Sequence, residues 1–266
     1  MAIKLIALDL DGTLLNSDKV VTPRTLAALK AAQAKGVGVT IATGRMFKGA
    51  EIFGRQIGAN APLICCNGGV VEEVGASEPL FARHLPPAVV RRLLQYCQRQ
   101  GWYVNWYIGN DIFVDHYDED YFYAYRTVKD LPVVAVGEHY PDYTCDVLQC
   151  VLRDLTGRVG EKTQVIEQMF PQHIVAQQNT GNSADLTAPD VDKALGLSWL
   201  AQRMGLQPEE VMACGDGDND LAMLRYAGTA VVPANGLDAA RALATYHAPS
   251  NDEDGIAVAI EDLVLQ

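Results

Sequence analysis

The sequence predicts an α/β fold with a Rossmann-like parallel sheet and a second α/β domain inserted into it. Short apolar runs typical of buried strands alternate with amphipathic helical stretches, and each run ends in a cluster of small or polar residues. A long aromatic-rich stretch interrupts this alternation. A chain of 266 residues is also too long for one ordinary core, so we expect two domains.

The first predicted strand, residues 3–8, leads directly into two carboxylates. Asp9 and Asp11 stand in the sequence Asp-Leu-Asp-Gly-Thr, where the strand emerges from the core and where open α/β sheets keep their active sites. Because side chains alternate along a strand, both carboxylates can point into the same crevice, and they repel each other unless a cation or a proton lies between them. The pair indicates a bound metal, although an Asp-Gly surface turn is the simpler alternative.

The following elements repeat this pattern of a strand that ends in a polar loop. Thr22 and Pro23 are a good N-cap and first position for a helix that ends at Gly36. Further strands are predicted at residues 37–42 before Thr43-Gly44-Arg45, 63–66 before Asn67-Gly68, 211–214 before Gly215-Asp216, and 229–232 before Pro233. Unrelated loops need not all place such groups at one edge of a sheet, so a shared site is the simplest interpretation.

The second acidic cluster, residues 215–220, alternates aspartates in a way that resembles an EF-hand calcium loop. It fails that comparison, because Leu221 stands where a glycine is needed and Ala227 where a bidentate glutamate is needed. A hard-cation site assembled from separate strands fits better, with Asp216 joining Asp9 and a neighbouring backbone carbonyl. Magnesium is the expected ion.

Several single residues are weaker candidates. Thr43 follows a strand and precedes Gly44, so its hydroxyl and the N–H groups at the start of the next helix could receive phosphate oxygens. Lys193 opens a predicted helix, where a lysine is unfavourable beside the positive end of the helix dipole unless an anion lies nearby. A solvated surface lysine is the alternative for Lys193, and a helix cap is the alternative for Asp218 and Asn219.

Composition and charge exclude several classes of protein. The chain is 49% hydrophobic and 20% charged, which is typical of a globular protein, and its apolar runs are too short to cross a bilayer. A net charge of -12 disfavours nucleic acid as a partner. The N-terminus lacks the apolar core of a signal peptide, and the cysteines follow no zinc-site spacing, so we expect a cytoplasmic protein with reduced thiols.

The predicted insertion covers residues 83–186 and divides the core into residues 1–82 and 187–266. Hinges are expected near Pro86-Pro87 and Pro189. By residue type, the side chains of the insertion that could recognise a ligand are Asp115, His116, Tyr117 and Arg126. For each of these, packing or simple surface exposure is the alternative.

The order of the motifs resembles that of the haloacid dehalogenase superfamily of phosphohydrolases. The matching segments are Asp9-x-Asp11-Gly-Thr, Thr43-Gly-Arg, Lys193 and Gly215-Asp216-Gly-Asp-Asn-Asp220, and the likeness extends to residues 250–256. More closely, the chain is similar to the Cof-type sugar-phosphatase branch, whose cap is inserted between the second and third motifs. The resemblance implies a haloacid dehalogenase-like core and makes the insertion the α/β cap domain, which would read the leaving group.

The resemblance also implies roles for individual residues. Asp9 would be the nucleophile that forms an aspartyl-phosphate, and Asp11 the acid that protonates the leaving oxygen and then activates water. The transferred phosphoryl group would be held by Thr43, Gly44, Lys193 and Asn219. Magnesium would be bound by Asp9, the Asp11 carbonyl and Asp216. Asp220 would support the site by orienting Lys193 or a metal-bound water.

We therefore expect a magnesium-dependent phosphatase that acts on small phosphorylated metabolites, sugar phosphates above all. A phosphomutase of the same superfamily is one alternative, because it would pass the phosphoryl group back to the substrate. A phospho-accepting regulatory protein is another, since response-regulator receivers also combine carboxylates, Thr, Lys and magnesium on a parallel sheet. The motif order and the large insertion argue against a regulator. We expect no nucleic-acid or membrane partner, and a monomer or small homo-oligomer.

Overall fold

The chain forms two compact units in the computed structural model, which describes residues 2–122 and 132–266. The first unit comprises Met1–Phe81 and Asp192–Gln266, and the second comprises Ala82–Val191. The second unit is therefore an insertion in the chain of the first. The predicted insertion, residues 83–186, lies wholly within the second unit.

The described residues form helices and strands that alternate along the chain. In chain order, the helices are α1 (Pro23–Ala34), α2 (Phe47–Gln56), α3 (Pro87–Gln100), α4 (Glu119–Phe122), α5 (Val159–Met169), α6 (Lys193–Arg203), α7 (Leu221–Tyr226), α8 (Asp238–Arg241) and α9 (Gly255–Leu263). The strands are β1 (Leu5–Leu8), β2 (Gly38–Ile41), β3 (Leu63–Cys65), β4 (Val70–Glu72), β5 (Phe81–Ala82), β6 (Tyr103–Ile108), β7 (Asp111–Val114), β8 (Val133–Ala135), β9 (Val147–Arg153), β10 (Val175–Thr180), β11 (Ser183–Thr187), β12 (Val211–Cys214), β13 (Thr229–Pro233) and β14 (Tyr246–Ala248).

The main sheet of the first unit is parallel and has the strand order β14-β13-β12-β1-β2. Every residue of β1, β2 and β12 is buried, as expected for strands covered on both faces. The predicted α/β fold with a parallel sheet is therefore confirmed. Because all these strands point the same way, the loops after β1 and β12 meet at one edge of the sheet.

The strand β3 differs from the expectation of a further strand in this sheet. It pairs antiparallel with β4 in a separate sheet of order β3-β4-β5, and the isolated parallel bridge between Ala42 and Ile64 links it to the main sheet. The chain reverses after β3 through Cys66 and Asn67, which both adopt positive φ angles. This reversal keeps β3 short and turns its end into a tight polar loop.

The helix α1 begins and ends as its sequence predicts. The Thr22 side chain accepts a hydrogen bond from the Thr25 N–H, and Pro23 occupies the first helical position. The helix α6 packs onto the main sheet, where Leu197 and Leu200 join Leu5 and Val211 in one apolar cluster. Full burial of such a side chain contributes about 1.5–3 kcal/mol, so this cluster anchors α6 and its first residue, Lys193.

The second unit contains a sheet of order β10-β11-β9-β6-β7-β8, in which β7 and β8 pair in parallel and the other neighbours pair antiparallel. Trp106 pairs in register with Cys150, and Asn105 pairs with Val151, so alternate residues lie on opposite faces. Buried polar side chains of this sheet define what we call the polar face: Asn105, Gln149, Asp185 and Thr187.

Two general properties of the chain complete the description. Within the described residues, none of the helices combines the length and the apolar character needed to cross a membrane. The cysteines all carry free thiols, and Cys145 is the exposed one. Burial raises the pKa of the Cys214 thiol, which lies at the end of β12 and behaves as a core side chain.

Candidate active site

The site begins at the adjacent carboxyl ends of β1 and β12. The Asp9 N–H donates to the Cys214 carbonyl over 2.9 Å, which extends the parallel ladder by one residue and fixes the backbone of Asp9. Asp216 follows two residues after the same cysteine. The parallel pairing therefore brings together two aspartates that are 207 positions apart in the sequence (216 minus 9).

Lys193 lies between two carboxylates and is completely buried. Its Nζ donates to Asp9 Oδ1 and to Asp220 Oδ1, each over 2.6 Å. These anions explain why a lysine can open α6 beside the positive end of the helix dipole. The alternative of a solvated surface lysine is therefore wrong. Lys193 therefore fixes the orientation of the Asp9 carboxylate through Oδ1.

The start of α6 is held in place by local contacts. The Asp192 side chain caps the helix by accepting from the Leu195 N–H over 2.8 Å. Gly68 has a φ of +95°, and a Cβ at this position would lie 1.9 Å from the Asp192 carbonyl oxygen. Only glycine permits this close approach. The loop after β3 therefore contacts the backbone that carries Lys193.

Both carboxylate oxygens of Asp220 accept hydrogen bonds. Its Oδ1 accepts from Lys193, and its Oδ2 accepts from the N–H groups of Asp216 and Gly217 over 2.9 and 2.8 Å. Carboxylate oxygens of Asp9, Asp216 and Asp220 lie within 4.8 Å of one another and could hold a metal ion. Because donors already occupy both oxygens of Asp220, Asp9 and Asp216 are the better metal ligands of this set.

The charges of the cluster favour a divalent cation. Burial, aided by the carboxylates of Asp220 and Asp216, raises the pKa of Asp9 to about 8 against the opposing effect of Lys193. Burial also raises the pKa of Asp216. Burial alone would lower the pKa of Lys193, but the neighbouring carboxylates outweigh it and hold this pKa above its ordinary value. Three carboxylates therefore face one ammonium group, and a hard cation bound by oxygen ligands would balance them.

The two acidic loops are in direct contact. Thr13 Oγ1 donates to Asp216 Oδ1 over 2.6 Å. Gly12 has a φ of +92°, and a Cβ at this position would lie 2.4 Å from Asp216 Oδ2. The glycine of the Asp-Leu-Asp-Gly-Thr motif is therefore required for two reasons, its backbone conformation and the closeness of Asp216.

Asp11 lies in a different environment from Asp9. Its carboxylate accepts from Arg45 through Nε and Nη2 over 3.0 and 2.9 Å and from Lys19 Nζ over 3.0 Å. The side chain is 40% exposed and is not among the clustered carboxylates of the described residues. The expectation that Asp9 and Asp11 share one cation between their carboxylates is therefore wrong, because Arg45 and Lys19 neutralise Asp11 instead. Burial raises the pKa of Asp11, but these two cations outweigh it and lower the pKa below its ordinary value.

Thr43 is buried in the turn after β2. Its N–H donates to the Ile64 carbonyl over 2.9 Å, and its Oγ1 accepts from the Arg45 N–H over 3.2 Å. The next helix, α2, begins only at Phe47, so the N–H groups beside Thr43 and Gly44 belong to a turn and not to a helix start. The expectation that a helix starts directly after Thr43 and Gly44 is therefore wrong.

The remaining candidate of the acidic loop, Asn219, is half-buried in a single 3-10 turn over Asp218–Asp220. The N-cap of α7 is Asp220, without a side-chain capping bond. The alternative that Asp218 or Asn219 caps this helix is therefore wrong. No contact of Asn219 assigns it a role, so its place in the phosphate site remains a prediction.

Sequence reasoning missed several residues that contact the cluster or the loop that carries Asp11. Arg45 was visible as the last member of the Thr43-Gly44-Arg45 motif, but its pairing with Asp11 depends on how two loops meet. Thr13 lay in the first motif without a role. Lys19 and Asn235 had no signal at all, because each is a single polar residue in an irregular segment.

The candidate ligand-reading residues of the insertion lie at the surface of the second unit. Asp115 and His116 approach each other to 3.5 Å, and Tyr117 is 57% exposed. The His116 carbonyl accepts from the Tyr103 hydroxyl over 2.8 Å. Arg126 lies outside the described residues. Simple surface exposure therefore remains the alternative for Tyr117. The contacts of these residues do not assign a ligand to them.

Comparison with known proteins agrees with the geometry. A family model described as haloacid dehalogenase-like hydrolase matches residues 6–260. The 5-amino-6-(5-phospho-D-ribitylamino)uracil phosphatase YitU of Bacillus subtilis (strain 168) is 29% identical, over 95% of this chain and 94% of its own length. A haloacid dehalogenase-like hydrolase from Bacteroides thetaiotaomicron superposes with a TM-score of 0.89 at 28% identity, covering 98% of this chain and 99% of that one.

A second solved structure is the HAD subclass IIB sugar phosphatase BT4131, with a TM-score of 0.82 at 26% identity and coverage of 97% of this chain and 98% of that one. The family match includes all the loops that meet at the sheet edge, from Asp9 to Asp220. The resemblance inferred from the motifs is thereby confirmed. The chain belongs to the haloacid dehalogenase-like hydrolases.

Proposed function

We propose that the chain is a magnesium-dependent phosphatase that hydrolyses small phosphorylated metabolites, sugar phosphates above all, through an aspartyl-phosphate on Asp9. The observation that carries this proposal is the contact of buried Lys193 with both Asp9 and Asp220, beside Asp216. A buried ammonium group that orients a carboxylate beside a cation site is suited to phosphoryl transfer, which depends mainly on positioning and charge neutralisation.

Two displacements make up the proposed reaction. In the first, Asp9 Oδ2 attacks phosphorus, a new oxygen–phosphorus bond forms, and the bond to the leaving oxygen breaks. Asp11 gives the leaving oxygen a proton. In the second, Asp11 takes a proton from water, the water oxygen attacks phosphorus, and the bond to Asp9 breaks to release inorganic phosphate. Each step is easier than a direct attack by water on the substrate.

Lys193 would serve both displacements. Its bond to Asp9 Oδ1 turns Oδ2 toward the substrate, and its charge offsets that of the transferred phosphoryl group. Thr43, Gly44 and Asn219 would add hydrogen bonds to the phosphoryl oxygens. Asp220 would hold Lys193 in place from the other side.

Asp11 would alternate between a held and a working position. Arg45 and Lys19 keep it ionised, which is the form that takes a proton from water. To act as the acid of the first step, it must carry a proton and leave this pairing. Arg45 would therefore set how readily Asp11 reaches the substrate.

Magnesium would be held by the carboxylates of Asp9 and Asp216 together with the Asp11 carbonyl. When bound, it would neutralise charge on the phosphoryl group and on the clustered carboxylates. The donor set supports this ion, because hard oxygen ligands from carboxylates and carbonyls suit magnesium.

The substrate class is supported by the relatives. YitU is named for a ribityl phosphate, and BT4131 is described as a sugar phosphatase. Both leaving groups carry several hydroxyls. The second unit would be the cap that reads such a leaving group, since the catalytic cluster itself binds only the phosphoryl group. Cytoplasmic location and a monomer or small homo-oligomer stay predictions.

The two alternatives differ in the fate of the phosphoryl group. A phosphomutase would return it from Asp9 to the substrate and release little phosphate. A phospho-accepting regulator would keep it for a measurable time. The presence of Asp11 favours a hydrolase over a regulator, because a second carboxylate two residues after the nucleophile can activate water.

Phosphate release from a panel of sugar phosphates, nucleotides, pyridoxal phosphate and an aryl phosphate tests the proposal, with and without magnesium. We expect magnesium-dependent turnover that Asp9→Asn lowers by at least about a thousandfold, because the amide is not a nucleophile. Asp18→Asn is the matched control, since Asp18 is exposed on the same loop and should leave activity unchanged. Near-normal turnover by Asp9→Asn would contradict the mechanism, and loss of turnover by both variants would point to damage of the loop.

A further inference from the structure

The loop after β13, residues 234–237, contacts both acidic loops of the site. Asn235 Nδ2 donates to the Gly12 carbonyl over 2.8 Å, and the Leu237 N–H donates to the Asp216 carbonyl over 2.9 Å. The first contact reaches the carbonyl of the residue that follows Asp11, and the second reaches the backbone of Asp216 itself. This one loop is therefore hydrogen-bonded to both segments that would supply magnesium ligands.

The amide of Asn235 is itself held in one orientation. Its Oδ1 accepts from the Asn251 N–H over 3.0 Å, which directs Nδ2 toward Gly12. The Asn251 side chain continues the chain of contacts, since its Nδ2 donates to the Leu15 carbonyl over 2.9 Å. The loop that carries Asp11 is thus fixed at Gly12 and at Leu15 by two linked asparagines.

The position of Gly12 makes this support important. Glycine has no side chain to pack, and a Cβ at Gly12 would lie 2.4 Å from Asp216 Oδ2. The spacing of the two loops must therefore be set by hydrogen bonds. Thr13 provides one from within the site, and Asn235 provides another from outside it.

We infer that Asn235 is a positioning residue that sets the distance between the Asp9–Thr13 loop and the Asp216 loop, and through it the affinity of the site for magnesium. The inference rests on the proposed function, because it requires that this cluster binds magnesium. Asn235 lies at the surface of the loop and acts through the Gly12 carbonyl, so it needs no contact with substrate.

The test measures magnesium binding to the substrate-free protein by calorimetry, beside kcat and KM at saturating magnesium. Asn235→Ala and the equal-sized Asn235→Leu should each raise the Kd for magnesium about tenfold, the amount expected for loss of a hydrogen bond worth about 1.4 kcal/mol. At saturating magnesium their kcat should return to within about threefold of the wild type, since the reacting groups are intact. Asn251→Ala should raise the Kd about threefold, because its N–H still reaches Asn235.

Asn60→Ala is the matched control. Asn60 makes the same kind of bridge at the amino end of β2, where its Oδ1 accepts from the Val39 N–H over 2.7 Å and its Nδ2 donates to the Val37 carbonyl over 3.3 Å. This variant should lower the Tm without changing the Kd for magnesium. If Asn235 had only a structural role, its variants would also lower the Tm without changing the Kd for magnesium.

The outcomes separate the inference from the proposed function. A wild-type Kd in Asn235→Ala and Asn235→Leu, with magnesium binding intact in the parent protein, would overturn the inference alone. A parent protein that neither binds magnesium nor needs it for turnover would overturn the metal site and the inference with it. A Kd raised in the Asn235 variants and unchanged in Asn60→Ala would support both.

Discussion

The two sheets of the molecule gather polar groups in different ways. In the first unit the clustered carboxylates lie in loops beyond the ends of parallel strands, as Asp9 and Asp216 do. In the second unit the buried polar side chains lie within the strands, where Asn105 and Asp185 flank Val151 on the polar face. A loop motif is a continuous sequence signal, whereas a strand face is spread over alternate residues of several strands. The carboxylate cluster of the first unit is therefore readable from the sequence, and the polar face of the second unit is not.

The two regions also differ in how their polar groups are paired. Within the cluster, both oxygens of Asp220 accept hydrogen bonds, and Lys193 donates to two carboxylates. On the polar face, Asn105 Nδ2 is buried and has no hydrogen-bond partner among the described residues. A buried unpaired group of this kind costs about 1–3 kcal/mol. The polar groups of the first region are thus paired with one another, whereas the second region contains a buried donor without a partner among the described residues.

The largest expected effect comes from removing the central cation of the cluster. Lys193→Met should lower kcat at least about a hundredfold and destabilise the protein by about 3–5 kcal/mol, because Asp9 and Asp220 would remain buried without a counter-charge. The comparison within the second unit is Lys162→Met, since Lys162 pairs with the buried Asp154 over 3.1 Å. That variant should lower the Tm and leave turnover of an aryl phosphate within about twofold. Equal loss of activity in the two variants would contradict the expected difference between the units in their contribution to turnover.

A smaller effect is expected at Asp11. Arg45→Ala should lower kcat about ten- to a hundredfold for sugar phosphates, because Asp11 loses the two guanidinium bonds that keep it ionised, the form that takes a proton from water. Lys19→Ala removes a single bond from an exposed lysine and should cost less than about threefold. Steady-state kinetics at saturating magnesium measure both. If Lys19→Ala were the more damaging change, Arg45 would not be the residue that controls Asp11.

The two units each contain a buried aspartate, and the pKa values of these aspartates shift in opposite directions. Burial raises the pKa of Asp9 from 3.8 to about 8, so between these values the folded, magnesium-free protein binds more protons than the unfolded chain. Its contribution to the free energy of unfolding therefore falls as pH rises through this window. Burial also raises the pKa of Asp154, but bonds from Thr156 and Lys162 outweigh it and lower this pKa, so the contribution of Asp154 is lost as pH falls.

Thermal melts from pH 5 to pH 8 measure this difference. Magnesium competes with the proton at Asp9, so we expect added magnesium to raise the Tm by more at pH 8 than at pH 5. Asp9→Asn should flatten the dependence, whereas Asp154→Asn should leave it intact. A magnesium effect that is equal at both pH values would argue against Asp9 as a ligand.

The smallest expected effect concerns the polar face. If the polar face serves the proposed cap, Asn105→Leu should lower kcat/KM for sugar phosphates by up to about tenfold and leave an aryl phosphate unchanged, because an apolar side chain replaces the buried, unpaired amide of this face. Asn110→Leu is the matched control, since Asn110 also has a buried oxygen without a partner but lies between β6 and β7. A similar loss of kcat/KM in both variants, or a loss with the aryl phosphate, would show that the polar face does not take part in substrate recognition.

Most of the core was predictable because its signals are local. The apolar run before Asp9 and the N-cap at Thr22 both depend on neighbours in sequence, and both are confirmed. The pairing of Asp11 with Arg45 was not predictable, because it depends on which way one carboxylate turns after the strand ends. The antiparallel pairing of β3 was not predictable for a related reason. The apolar residues of β3 fit either sheet, and the chain reversal at Asn67 decides which sheet the strand joins.

The covalent role of Asp9 is best tested by trapping the intermediate. Asp11→Ala should still react with an aryl phosphate, whose good leaving group needs no acid, but it should hydrolyse the adduct slowly. Rapid acid quench and peptide mass spectrometry should then find a burst of about one equivalent of released phenol and a phosphoryl group on the peptide that contains Asp9. A burst with the phosphoryl group on any other residue, or turnover without a covalent adduct, would contradict the proposed mechanism.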